Sequence, residues 1–310
     1  MITALNAANE QFVTTIDNMQ TALNSAETQL STGYRVNQAS DAPAEVGDIF
    51  VARAALSSEN QTIQNLKVVQ ANVTTADTAV QTAVQLLQNA VVLGSEGASS
   101  TVTQSQQNAL ATQVQSVLSQ LVGLSATQVN GVYIFSGDAG GSAPYQLDPA
   151  SPTGVDQLVT AQATALTADP TGITFQTSMT AQQLFDAQDA MGNPTPQNAF
   201  AALNNLQLAL QSGNATNITA AISNVQAAGN YVNQQLGFYG AAENRITSAI
   251  DLAQKFQVQT QTQLSNLQDT DMTSVAVQVT QESTALNAAM AAEGKRPTST
   301  LFDYLPMTTG

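Results

Sequence analysis

The sequence predicts a mainly α chain: a long coiled-coil-like helical rod formed by the N- and C-terminal segments, with a small β-rich insertion in the middle. Three observations predict it. Apolar residues near both ends recur at steps of three and four, the spacing of a helical seam. Six of the nine prolines (Pro144, Pro149, Pro152, Pro170, Pro194, Pro196) fall in one middle stretch. Charged residues are only 9% of the 310, against about 25% in an ordinary soluble domain, and Ala, Gln, Asn, Thr and Ser take their place.

The first helix spans about 2–31. From Phe12 its apolar positions are Ile16, Met19, Leu23, Ala26 and Leu30, and Gly33 suits a left-handed helix end. Residues 34–43 form a connector, with Pro43 in the first turn of the next helix and Asp41 and Glu45 where the helix dipole favours negative charge. Periodicity resumes through Leu56, Ile63, Leu66, Val73, Val80 and Leu87 until Gly94 and Gly97 end it. A helix of about 50 residues is about 75 Å long, which implies a rod.

Thr101 and Gln104 have capping-box spacing ahead of a seam at Leu110, Val114, Val117, Leu121 and Leu124, and Asn130-Gly131 closes that helix. Val132–Phe135 and Gly172–Phe175 read as short strands, and a short helix lies near 181–190. Pro196 opens a helix that Gly213 caps. A long pattern then runs from Ile218 to Leu267, broken by Asp269-Thr270-Asp271, before Val275, Val279, Leu286 and Met290 carry the last helix. Three divisions follow: an inner terminal pair (1–40 with 268–310), a helical rod domain (41–137 with 197–267) and a small outer domain (138–196).

Composition removes most chemistry. The chain has no cysteine, histidine or tryptophan, so disulfides, thiolate or imidazole metal sites and Cys or His nucleophile–base pairs are excluded. Seven basic against 22 acidic residues give a net charge of −15, which repels nucleic acid and anionic membranes. No phosphate-binding loop or nucleophile elbow occurs, so neither an enzyme nor a cofactor is expected. Asp269 and Asp271 lack the further ligands of a calcium loop and read as caps. No run of about 18 apolar residues predicts a membrane span, and no cleavable leader is expected at the N-terminus. Arg35, one of few cations and set in a connector, has either an intrachain carboxylate or carbonyl partner or a contact on a neighbouring subunit.

Leu30-Ser31-Thr32-Gly33-Tyr34-Arg35-Val36-Asn37, followed by Ser40-Asp41-Ala42-Pro43, resembles the N-terminal signature of the bacterial flagellin superfamily. Asn244-Arg245-Ile246 and Asn266–Met272, with Asp271, resemble its C-terminal blocks. Asn130–Gly137 and the ending at Leu301, Tyr304 and Leu305 are most similar to hook-associated junction proteins of that family. The resemblance implies a structural part of the flagellar axial tube, extracellular and exported without a cleaved signal. Its implied partners are further copies of the chain, a neighbouring hook-associated protein, flagellin on the filament side and an export chaperone. The seams Phe12, Ile16, Met19, Leu23, Leu30 and Val275, Val279, Leu286, Met290 would then form the inner helical pair. That pair is expected to be poorly ordered alone, because helices without a packed partner are marginal in water. The 138–196 segment is expected to project outward and to be dispensable for assembly.

Overall fold

The computed structural model describes residues 2–163 and 165–295. Helix α1 (Ile2–Thr32) ends where Gly33 takes φ 76° and returns its amide to the Gln29 carbonyl at 2.8 Å. Only glycine enters that region without a Cβ penalty. Helix α2 (Val46–Gly97) starts three residues after Pro43, which lies in the preceding turn rather than in the first helical turn. Gly94 does not end α2 but lies inside it. A Cβ there would come within 2.8 Å of Ile222 and 3.0 Å of Leu206, so the missing side chain serves close packing.

Helix α3 (Gln104–Ser125) has its capping box at Thr103 and Gln106, two residues beyond the expected pair. Thr101-x-x-Gln104 and Thr103-x-x-Gln106 carry the same spacing, and the second wins because Val102 still turns back to the Ser99 carbonyl. Asn130-Gly131 lies past the helix end. It forms the two-residue turn between β1 (Gln128–Val129) and β2 (Val132–Tyr133), with φ 53° and 81°. Two consecutive positive φ angles are what a type I′ hairpin demands, hence Asn-Gly.

The middle segment holds two more antiparallel hairpins, β3 (Tyr145–Leu147) with β4 (Val155–Gln157) and β5 (Leu166–Ala168) with β6 (Thr174–Gln176). Helix α4 (Ala181–Phe185) is a single capped turn and a half. Asn198, not Pro196, caps α5 (Ala199–Ser212), which ends at left-handed Gly213. Helix α6 runs Ala215–Gln268 and α7 runs Met272–Glu293. The mainly α class with a small antiparallel β content is therefore as the periodicity predicted.

By their contacts the described residues fall into two units, drawn from Met1–Ser58 with Phe256–Gly310 and from Glu59–Lys255. In the second unit the middle segment is not a separate body. Phe135, Tyr145, Val155, Phe175, Leu184 and Phe185 belong to one apolar core with Leu87, Leu121, Leu203 and Val225 of the helices. Phe200 of α5 stacks on both Tyr145 and Phe185, at centroid distances of 4.9 and 6.0 Å. Buried Asp186 is satisfied by the Tyr145 hydroxyl (2.8 Å) and by the Asn198 and Gln188 side-chain amides.

Along the helices, exposed Thr and Ser hydroxyls bond back to the carbonyl four residues earlier, as at Thr14, Thr28, Thr78, Thr219 and Thr280. This is the usual resort of a hydroxyl set inside a helix.

Candidate functional site

The first unit contains most of the residues singled out by sequence, and they form a joint and a seam. The joint is where the α1–α2 connector meets the α6–α7 connector. Backbone pairing builds it: the Arg35 and Val36 amides donate to the Gln268 carbonyl at 2.7 and 3.3 Å, and the Thr270 amide donates to Gly33 at 3.0 Å. Tyr34 and Asp269 form an antiparallel bridge between them. Arg35 then closes the joint with its side chain, pairing with Glu45 and donating to the Leu267 carbonyl at 2.8 Å. The guanidinium thus has both a carboxylate and a carbonyl partner within the chain.

Asp41 organises the rest of the connector. Its carboxylate accepts the Asn37 and Gln38 amides at 2.9 and 2.8 Å, and those donors hold its pKa below the ordinary carboxylate value. Asn37 turns its side chain to the Tyr34 carbonyl at 2.7 Å. Underneath, Val36, Ile49, Ala52 and Leu264 make a small buried cluster. Asp271 caps α7 by accepting from the Thr273 and Ser274 amides. Glu45, read from sequence as a dipole-facing residue, is also the Arg35 partner. The available signal was its place as one of only two acids following Arg35 before the helix.

The seam is the contact of α1 with α7, which pack against each other. Phe12, Ile16, Met19, Leu23 and Leu30 lie on one stripe of α1, yet all are only half-buried, and Ala26 alone on that stripe is fully buried. On α7 only Val275 is buried. Val279 and Leu286 are half-covered, and Met290 is 60% exposed, so it is not a seam residue of this pair. The cause is geometric: at about 100° per residue, the 18 residues from Phe12 to Leu30 complete whole turns, whereas the 15 from Val275 to Met290 leave about 60° of drift. Ser31 is exposed at the end of α1.

Asn244 and Arg245 belong to the other unit. Arg245 lies over the Phe175 ring at 4.6 Å and beside Asp169, whose pKa is lowered chiefly by the Thr171 hydroxyl, with Arg245 adding to it. This is a cation–π clamp between α6 and the β5–β6 hairpin, and Asn244 is exposed next to it. Leu301, Tyr304 and Leu305 lie outside the described residues. Among the described residues no group of His, Cys, Asp or Glu has the arrangement of a metal site, and no helix is long and apolar enough to cross a membrane.

Residues 4–139 match the bacterial flagellin N-terminal helical region. That span takes in α1 from its third residue, the connector, α2, α3 and the β1–β2 hairpin. No curated protein sequence matches the chain. Among solved structures, a protein from Vibrio parahaemolyticus described as a flagellar hook-associated protein is similar over 74% of this chain and all of its own, at 14% identity and TM-score 0.65. FlgL of Bacillus cereus matches at 16% identity over 70% of this chain and 99% of its own, with TM-score 0.54. The flagellar junction protein FlgL of Legionella pneumophila matches at 12% identity over 65% of this chain and 99% of its own, also with TM-score 0.54. Residues 4–139 are thus similar to the N-terminal helical region of bacterial flagellin, and the chain has the fold of solved flagellar hook-associated and junction proteins.

Proposed function

We propose that the chain is a structural component of the bacterial flagellum, an adaptor that joins hook to filament by helical self- and hetero-assembly, with no catalytic role. The observation that carries this reading is the α1–α7 seam. Five large apolar side chains line one stripe of α1 and stay half-exposed against α7. Two helices bury too little surface to hold such a seam alone, so further helices from neighbouring copies complete it. The low charge of both helices lets copies approach despite a net charge of −15. Contacts between unlike faces of successive copies then generate a tube or ring instead of a closed dimer. The structural relatives named for hooks and junctions support the position at the junction, with a hook-associated neighbour on one side and flagellin on the other. Export would leave no cleaved signal, and a chaperone would cover the α7 seam beforehand.

A second reading, filament flagellin, is favoured by the match of residues 4–139 to the flagellin region itself. Immunogold labelling of intact flagella with antibody against residues 138–196 separates the two. A single labelled band between hook and filament is expected. Label along the whole filament would replace the adaptor reading with the flagellin one, and unlabelled flagella would remove both.

A further inference from the structure

Helix α1 and the start of α2 each carry a face that the joint and the seam leave unused. On α1, Val13 lies about 100° round the helix from Phe12 and is 56% exposed. Glu10 and Asp17, three residues before it and four after, are exposed on the same side. The 31 residues of α1 hold three acids, Glu10, Asp17 and Glu27, and no cation. This face is an apolar centre between two carboxylates.

The start of α2 has the opposite sign. Phe50 is 64% exposed, and Arg53 follows it by about one turn, exposed as well. With Val46 and the connector residues Asn37 and Gln38 they rim a hollow of about 80 Å³. That is well below the ~300 Å³ at which small-molecule pockets begin, and suits a single small side chain. The nearby carboxylates are already taken, Glu45 by Arg35 and Asp41 by the Asn37 and Gln38 amides. Arg35 is paired and Arg245 stacks on Phe175, whereas Arg53 has no ion pair, hydrogen bond or ring contact among the described residues.

We propose that Phe50 and Arg53 of one copy dock on the Glu10–Val13–Asp17 face of α1 in a second copy. Charge complementarity selects this occupant. An unpaired guanidinium beside an exposed aromatic ring fits an apolar residue flanked by carboxylates, and α1 supplies one. The comparable valine of α7, Val277 at 52% exposure, has only Thr273, Ser274, Thr280 and Gln281 one turn away and offers no carboxylate. Copies with a net charge of −15 repel one another, so a contact that sets a cation against two acids fixes where and how they meet. The two faces differ, so the contact is heterologous and passes from copy to copy. It lies off the Phe12–Leu30 stripe, which leaves that stripe free for the seam. The proposal rests on the assembly reading above and deepens it by naming an intersubunit contact.

Charge reversal with rescue tests it, read as the amount of the full chain in isolated flagella by blotting with antibody against residues 138–196. Arg53→Glu should enter flagella at least about tenfold less than wild type, while its monomer melts as wild type does, because the side chain is exposed. Adding Glu10→Lys or Asp17→Lys to Arg53→Glu should restore entry for one of the two. Rescue through Asp17 reports parallel helices and rescue through Glu10 antiparallel ones; either supports the contact. Normal entry of Arg53→Glu overturns it. So does failed entry that neither acid reversal restores, because Arg53 then meets an acid of some other protein. Should the Arg53→Glu monomer fail to fold, Val13→Cys combined with Phe50→Cys decides, in a chain with no native cysteine. A ladder of crosslinked species in oxidised flagella from the double variant, absent from both single variants, supports the contact, and its absence overturns it. The adaptor reading is judged separately by immunogold on the wild-type chain and survives each of these failures. Unlabelled wild-type flagella would overturn both.

Discussion

The same apolar periodicity has opposite outcomes in the two units. In Glu59–Lys255, helices and hairpins converge until Leu87, Leu121, Leu203, Val225 and Tyr239 are sealed from water. In the unit of the chain ends, an equally regular stripe on α1 meets one helix and stays half-open. The difference teaches that a seam reports which face a helix will bury, not whether the chain itself supplies enough neighbours to bury it. The closed unit is a finished core, and the open one, on the assembly reading proposed above, is half of an interface.

This comparison is broken most severely by deleting residues 138–196 and joining the flanking helices. Because that segment supplies Tyr145, Val155, Phe175 and Phe185 to the core, the deletion is expected to abolish the cooperative unfolding transition of the second unit, read by circular dichroism. A deletion variant that melts cooperatively at the wild-type temperature would restore the segment as an independent outer domain. Next in size is Phe200→Ala, which empties the centre of the aromatic stack and is expected to cost about 3–5 kcal/mol in denaturant melts.

Arg35→Ala tests the joint. It removes a pair that is partly exposed to solvent, so about 1 kcal/mol is expected, seen as faster hydrogen exchange of the Val36 and Thr270 amides. Unchanged exchange there would show that backbone pairing alone holds the joint. Leu23→Asp sharpens the contrast: monomer stability should shift by less than about 1 kcal/mol, since the position is already half-wet, while incorporation into flagella is lost. Normal incorporation would remove the seam from assembly.

Acid gives the smallest and most diagnostic effect, because it acts with opposite sign at Asp41 of the first unit and at Asp77 of the second. Asp41 has a lowered pKa, so its stabilising effect is present above the ordinary carboxylate value of about 3.9 and disappears as pH falls through the lower folded value. Asp77 is raised by burial and by Glu243, so its charged form strains the fold at neutral pH and protonation relieves it. Titrating from pH 7 downward, the second unit should first gain slightly in stability, and Asp77→Asn should erase that gain. Below about pH 4 the Asn37 and Gln38 amides should exchange faster. Faster exchange at higher pH would contradict the hydrogen-bond account of Asp41.

Much of the fold was legible because it is written in local signals. The α1 stripe, its end at Gly33, the Gly213 cap and the Asp271 cap each depend on a few neighbouring residues. Signals that occur twice, or that serve two purposes, were harder to place. Thr101 and Thr103 both start a T-x-x-Q box, and Asn130-Gly131 fits a helix end as well as a hairpin turn. Gly94 looked like a terminator because the residues that need its missing Cβ, Leu206 and Ile222, lie more than a hundred positions away. The same distance hid the joint. Arg35 announced an unusual cation, but its acceptor on Leu267 is a backbone carbonyl, which no side-chain pattern marks. Met290 was misplaced because a stretch of heptad-like spacing was extended past the point where helical drift carries it off the partner.

The hydroxyls that turn back onto their own helices have a bearing on how such a surface is dried. A lysine or glutamate brought into a subunit contact must shed tightly held hydration and find a counter-charge. Thr14, Thr28, Thr219 and Thr280 already spend their protons on carbonyls of the same helix, and so present mainly a methyl group outward. Stripping water from these faces leaves little unsatisfied. A helix coated in this way dissolves as a monomer and dehydrates cheaply against a copy of itself, with no charged partner required.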